Sequence, residues 1–280
     1  MGNAAISTFF TTNLMKRNLL LLTVMMIALS CALSAQAQTT KRLFNGTNFD
    51  GWEFKAGNRQ NVWTVGRLAG NTVEESATTM VAIPLRGGAP GAPTTARTGA
   101  PAAQAPMAAG VMINPTATAG DPNGPPRGVD IYTTEKFGDC TVKVEFLILR
   151  GGNSGVYLMG EYEVQISDIF GRPATRQLGQ GDLGAIYSAA PPSRNAGGAP
   201  GTWQSFVIEF VAPKFDAQGN KTANGLFKKI TLNGIVVQEN VEVQGPTGGG
   251  LTMKEAPTGP LMFQGDHGPV AFRNVEIILP

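Results

Sequence analysis

Histidine occurs once and cysteine twice in the 280 residues. A Cys/His zinc centre needs four such ligands, and the chain does not hold them. A disulfide framework is excluded as well. Cys31 lies in an N-terminal apolar segment, which leaves Cys140 alone in the body of the chain. Its strand-like surroundings read as a small buried hydrophobe with no assigned chemistry. Charge is sparse too: charged residues make up 15% and the formal net charge is +2. That balance argues against nucleic acid or an anionic membrane surface as partner. Apolar runs are short. Leu19–Leu29 falls well below the ~20 residues of a membrane span. Helical periodicity is missing as well, with no run of two turns after the N-terminal segment.

The first residues have their own pattern. Lys16 and Arg17 precede the apolar run, and Ala35-Gln36-Ala37 gives a small-residue cleavage site. This is the layout of a secretory signal peptide, assigned to residues 1–37, with residues 1–14 as an upstream extension and Met15 as an alternative start. The expectation is a secreted or periplasmic protein cleaved after Ala37, with lipid anchoring at Cys31 as the minority alternative. The 36 Gly and 19 Pro are high, and much of the excess falls in residues 87–128. That segment reads as a flexible loop insertion within one domain spanning 42–280, because it has too little apolar surface to offset its ordering entropy.

What is abundant is the strand signal. Val142, Val144 and Phe146 alternate with Lys143 and Glu145, and Phe206, Ile208 and Phe210 repeat the pattern. Asn233-Gly234 separates two apolar runs as a hairpin turn would. Many short strands at regular spacing predict an all-β fold, a two-sheet antiparallel jelly-roll sandwich. Trp52 and Trp63 read as caps on its core rather than as sugar platforms.

The chain is organised around Gly151–Asp168. Gly160 and Glu161 separate two β-rich runs, and a two-residue type II′ turn is expected there. That register sets Met159 opposite Tyr162, Leu158 opposite Glu163, Tyr157 opposite Val164 and Val156 opposite Gln165. Tyr157 then faces the core, while Glu163 and Gln165 lie on the other face. Sandwich glucanases of the retaining type carry Glu-x-Asp-x-x-Glu on one strand. Here Gln165 replaces the middle carboxylate and Asp168 the last. A bulge is needed to bring Asp168 round to Glu163. His267, in Gln264-Gly265-Asp266-His267-Gly268, is either an exposed turn residue or an imidazole oriented by a neighbouring carboxylate. Arg273 has the parity of Ala271 and either anchors polar groups or forms a surface ion pair.

Several motifs occur together in order: Leu43-Phe44-Asn45-Gly46 with Gly51-Trp52, Gly152-Asn153-Ser154-Gly155-Val156-Tyr157, and Tyr162-Glu163-Val164-Gln165-Ile166. Gly184-Ala185-Ile186-Tyr187 and Gln264–Gly268 with Phe272-Arg273-Asn274-Val275 complete the series. In this the chain resembles the 3-keto-disaccharide hydrolase family, long known as domain of unknown function 1080. The resemblance implies a concanavalin A-like sandwich and cleavage of glycosides oxidised to a ketone at C3. It further implies removal of the C2 proton, 1,2-elimination and later hydration. Glu163 and His267 are then the acid and base in either order, and Asp266 or Asp168 orients His267 or binds a divalent cation. Asn153, Gln165, Tyr187, Gln264 and Arg273 contact the sugar. The partner is a small carbohydrate, and a metal is left open. A non-catalytic carbohydrate-binding module of the same fold is the alternative.

Overall fold

Alternating apolar residues close two antiparallel sheets face to face in the computed structural model. It describes residues 38–57, 59–68, 80, 82–85, 110–115, 128–173 and 175–280. The expected signal peptide lies outside the described residues. Thr39–Leu279 forms one compact unit.

In chain order the first strands are β1 (Thr39–Arg42), β2 (Trp52–Phe54), β3 (Thr64–Leu68) and β4 (Ala82–Pro84). Next come β5 (Val111–Asn114), β6 (Ile131–Phe137), β7 (Cys140–Ile148), β8 (Asn153–Leu158) and β9 (Tyr162–Ser167). They are followed by β10 (Gln204–Val211), β11 (Lys214–Phe215), β12 (Lys221–Ala223) and β13 (Gly225–Leu232). β14 (Ile235–Val243), β15 (Gly259–Phe263) and β16 (Val270–Leu279) close the chain. The larger sheet runs β14-β13-β10-β7-β16-β5-β3-β4, with β1 on β16. The smaller runs β2-β6-β15-β8-β9, and β11 and β12 form a separate ribbon. No helix occurs among the described residues, so none there could cross a membrane.

The inner faces meet in one core. Phe146, Phe206, Phe210, Phe227 and Phe272 come from the larger sheet, and Val156, Leu158, Tyr162, Val164 and Phe263 from the smaller. The Phe263 and Phe272 rings stack across the two sheets at 4.0 Å between centroids, and Trp52 stacks on Phe263 at 5.4 Å. Each buried ring of this size stabilises the fold by about 1.5–3 kcal/mol through lost apolar hydration. Trp52 and Trp63 are both buried against this core, as their flanking sequence predicts. Cys140 is buried and unpaired, and burial, helped by Asp139, pushes its thiol up to about 12. It is inert at neutral pH.

Two expectations change. The Gly/Pro/Ala-rich stretch, expected to be a flexible loop insertion, contains β5, which pairs with both β16 and β3. Met112 and Ile113 are fully buried. Val111-Met112-Ile113 is a short apolar run, and a central position in a sheet orders it although its flanks are low in complexity. The central hairpin also slips by one residue. Leu158 opposes Tyr162, Tyr157 opposes Glu163, Val156 opposes Val164 and Gly155 opposes Gln165. Met159 and Gly160 both take left-handed backbone, at φ 56° and 71°, and the Glu161 N–H closes the turn on the Leu158 carbonyl at 3.0 Å. Two consecutive positive φ values make a type I′ turn, with Glu161 as an extra residue. Glu161 is held there because its carboxylate accepts from the Thr252 and Met253 amides, each at 2.9 Å. A slip of one residue exchanges the faces. Val156 and Leu158 join the core, and Tyr157 moves to the face that carries Glu163.

Candidate active site

The register aligns polar side chains in rows across the outer face of the smaller sheet. Strand pairing runs from Glu53 to Tyr132, Met262, Tyr157 and Glu163 in one row. Two residues along, the Lys55 N–H donates to the Asp130 carbonyl at 2.8 Å and the Gln264 N–H to the Gly155 carbonyl at 3.0 Å. Gly155 in turn opposes Gln165. Lys55, Asp130, Gln264, Gly155 and Gln165 therefore make the next row on the same face, since side chains return to a face every second residue. Asn153 and Ser167 oppose one another two residues further on.

Glu163 leans into the gap that Gly155 leaves. A Cβ on Gly155 would meet the Glu163 carboxylate, with Cγ at 2.8 Å and Cδ at 2.9 Å. Glu163 as a residue is 3% exposed. With its amide turned to satisfy its neighbours, Gln165 donates to Glu163 Oε1 at 2.9 Å and to the Ser154 carbonyl at 3.0 Å. The other carboxyl oxygen is left to carry a proton. Burial pushes Glu163 up to about 8; the Tyr157 hydroxyl opposes the shift, while the charges of Asp130 and Asp266 add to it. Tyr157 is pushed up in turn, by burial first and then by Glu163. Its hydroxyl also reaches the Gly248 carbonyl at 3.1 Å. At neutral pH, then, this pair holds its protons, and Glu163 is the readier donor.

A second pair adjoins it. His267 Nδ1 contacts Asp266 Oδ1, and Arg59 contacts Asp266 Oδ2. Burial would raise the Asp266 carboxyl, but His267 and Arg59 outweigh it and hold it down at about 2. An ionised Asp266 favours the tautomer with the proton on Nδ1, which leaves Nε2 as a lone-pair base. The His267 side chain is 42% exposed, open to a substrate. The Asp266 charge acts on Glu163, and Gly268, next to His267, packs on the Asn153 backbone at the edge of the same sheet face.

The other predicted residues divide. Gln264 Nε2 reaches the Tyr157 hydroxyl at 3.4 Å, and its Oε1 is buried with no partner among the described residues. A buried acceptor left open suits a sugar hydroxyl. Asn153 lies on the same face, its backbone against Gly268. Tyr187 donates its N–H to the Glu163 carbonyl at 3.0 Å, and its ring flanks Gly248. Its segment runs beside β9, joined to it by the Val164–Ile186 bridge and by backbone hydrogen bonds from Gly184 to Gln165 and from Gln165 to Ala185, each at 2.9 Å. Asp168 does not join the cluster. Pairing along β8 and β9 has no register shift, so no bulge turns it round. Its oxygens accept instead from the Gly151 N–H at 2.8 Å and the Phe170 N–H at 3.0 Å, tying a loop. Arg273 does not join either. It sits beside core-facing Phe272 with the opposite parity, on the outer face of the larger sheet, across the core from Glu163. There it stacks 4.0 Å over the Trp203 ring and pairs with Glu145 at 2.6 Å.

Sequence reading missed Tyr157, because the turn was placed one residue late, and Lys55, Asp130 and Arg59, which carry no local motif. The Asp130 carboxylate accepts from the Gly265 N–H at 3.0 Å and pairs with Lys55 at 3.1 Å. Lys55, Arg59, Asp130 and Asp266 line a cavity of about 260 Å³. A cavity of about 600 Å³, lined by Arg172, Arg176 and Arg194, contains none of this cluster. No group of three His, Cys, Asp or Glu side chains able to hold a metal occurs among the described residues. Asp130 and Asp266 are each already paired with a cation.

Comparison with known proteins follows from this geometry. The family described as a 3-keto-alpha-glucoside-1,2-lyase-like domain matches residues 39–278. A crystal structure from Parabacteroides distasonis ATCC 8503 at 2.13 Å, provisionally named a glycosyl hydrolase, is 24% identical with a TM-score of 0.52. The match covers 85% of this chain and 82% of that one, and it shows a shared fold. A second structure from the same organism, with the same provisional name, is 17% identical with a TM-score of 0.46, covering 85% and 92%. No curated protein matches the chain.

Proposed function

Because the chain belongs to the 3-keto-alpha-glucoside-1,2-lyase-like family, we propose that it cleaves glycosides carrying a ketone at C3, outside the cytoplasm, by 1,2-elimination. It is a carbohydrate-active enzyme in coarse terms. The observation that carries the finer reading is Glu163, a buried carboxyl pushed up to about 8 on the sheet face whose end carries an imidazole backed by an ionised carboxylate. One group is prepared to give a proton and the other to take one.

The ketone acidifies the C2 hydrogen. His267 Nε2 takes that proton, and the C–H electron pair moves to form an enolate across C2 and C3. The enolate then collapses to a C1–C2 double bond and restores the ketone, and the C1–O bond breaks with its pair. Glu163 protonates the departing oxygen. The products are an alcohol and an unsaturated 3-keto sugar, which water can add to afterwards. Gln264 Oε1, Gln165 and Asn153 hold sugar hydroxyls, with Tyr187 as a wall. Retaining glucanase chemistry needs a second carboxylate about 5–5.5 Å from the first. Gln165 stands where a middle carboxylate would be, and Asp168 is turned into a loop, which supports elimination.

The test is turnover of a 3-keto-glucoside with a chromogenic leaving group, beside the unoxidised glucoside. The expected result is release from the keto substrate alone. Release from the plain glucoside would replace elimination with ordinary hydrolysis, and sugar binding without release from either would favour a binding module.

A further inference from the structure

The elimination places a negative charge on the C3 oxygen, while Glu163 and His267 are both committed to moving protons. Lys55 is the cation that reaches the Gly248–Gly249 turn against which Tyr157 packs. Its Nζ donates to Asp130 Oδ2 at 3.1 Å and to the Gly249 carbonyl at 3.4 Å. The preceding carbonyl, Gly248, takes the Tyr157 hydroxyl. Consecutive carbonyls of one turn therefore tie Lys55 to the Tyr157–Glu163 pair. Gly249 adopts φ +82°, and a Cβ there would lie 2.7 Å from the Tyr157 hydroxyl oxygen, so this turn packs directly on the site.

An ammonium has three donors. Asp130 and Gly249 account for two, and the third is left to the cavity of about 260 Å³ that Lys55 lines with Asp130, Asp266 and Arg59. Arg59 is less suited to the role, because it is engaged with the carboxylate that orients His267. Asp130 is 6% exposed and anchored by the Gly265 N–H, so it fixes the Lys55 head. We propose that Lys55 is a catalytic residue whose free N–H binds the C3 oxygen of the substrate and carries the enolate charge. The inference rests on the elimination reading and names the group that reading lacks. The interaction is a hydrogen bond, made to the ketone and strengthened as the enolate forms. A donor that gains strength only as charge develops acts on kcat more than on KM.

The experiment uses the full mature chain with Lys55→Met, Lys55→Arg and the double variant Lys55→Met/Asp130→Asn. The double variant avoids leaving a buried carboxylate unpaired, which could unfold the single one. Loss of kcat by about 10²–10³-fold is expected in both Met variants, with KM within a few fold and partial recovery in Lys55→Arg. Exchange of C2 hydrogen with deuterated solvent, followed on a keto-glycoside with a poor leaving group, should fall in parallel. That loss marks a role in forming the enolate rather than in expelling the alcohol. An active wild type with a folded Met variant at unchanged kcat overturns the proposal alone. A Lys55 adduct trapped by cyanoborohydride with the keto substrate overturns it in favour of an imine. A wild type inactive on keto-glycosides overturns the elimination reading, and the proposal falls with it.

Discussion

Replacing Glu163 with Gln is expected to abolish cleavage and stabilise the fold at once. The amide keeps the shape and can still hydrogen-bond Gln165 and Tyr157, so the hairpin remains intact. What it loses is the acidic proton. Positioned acid–base groups contribute about 10²–10⁴-fold, and kcat should fall by that factor. The stability change follows from the raised carboxyl. In the folded protein Glu163 titrates at about 8 instead of 4.5. The native state therefore binds a proton that the unfolded chain releases, and stability is lost as pH rises from about 4.5 through about 8. The amide does not titrate, so Glu163→Gln should gain on the wild type across that window and keep the gain above it. The upper bound is about 5 kcal/mol, the free-energy equivalent of the shift. Thermal melts at pH 4 and pH 9 read this directly, with nearly equal Tm at pH 4 and a higher Tm for the variant at pH 9. The wild-type kcat should also fall as pH rises through about 8, when the acid is lost. Equal melting at both pH values, or full activity in the variant, would remove Glu163 from this role.

Replacing His267 with Ala is expected to cost activity on a similar scale, about 10²–10⁴-fold, with little change in stability. His267 lies in a half-buried turn, and its polar partner among the described residues is Asp266. Loss of the ring leaves Asp266 paired with Arg59, so no charge is stranded. Asp266→Asn should be milder, about 10–10²-fold, because the amide no longer fixes the Nδ1 proton. A small amine base such as imidazole should restore part of the His267→Ala rate, and that rescue separates a proton acceptor from a structural ring. An unchanged rate in His267→Ala would move the base elsewhere.

The strands were legible because their alternation is local. Val142, Val144 and Phe146 announce one core face without any tertiary information, and so do Phe206, Ile208 and Phe210. Gly160 announced the turn but not its type. The difference between II′ and I′ with an extra residue was decided by Thr252 and Met253, which grip Glu161 from far along the chain. That single slip determines whether Tyr157 packs in the core or faces Glu163. Arg273 shows the opposite case. Its parity was read correctly, yet parity says only that two neighbours point apart. It does not say which of two outer faces a strand presents, and β16 belongs to the larger sheet. Lys55 and Asp130 gave no signal because their pairing spans a long sequence separation and rests on sheet order. The strand at Val111–Asn114 was hidden by its composition: a short apolar run has little weight beside so much Ala, Pro and Gly.

The most direct measurement follows the hydrogen at C2. A 3-keto-glucoside carrying deuterium at C2 is cleaved in ordinary water, and the sugar product is read by mass spectrometry. Elimination requires that bond to break, so the account predicts loss of the deuterium from the sugar and slower release than from the unlabelled substrate. A sugar product that keeps its C2 deuterium, released at an unchanged rate, would mean displacement at C1 and would contradict the account.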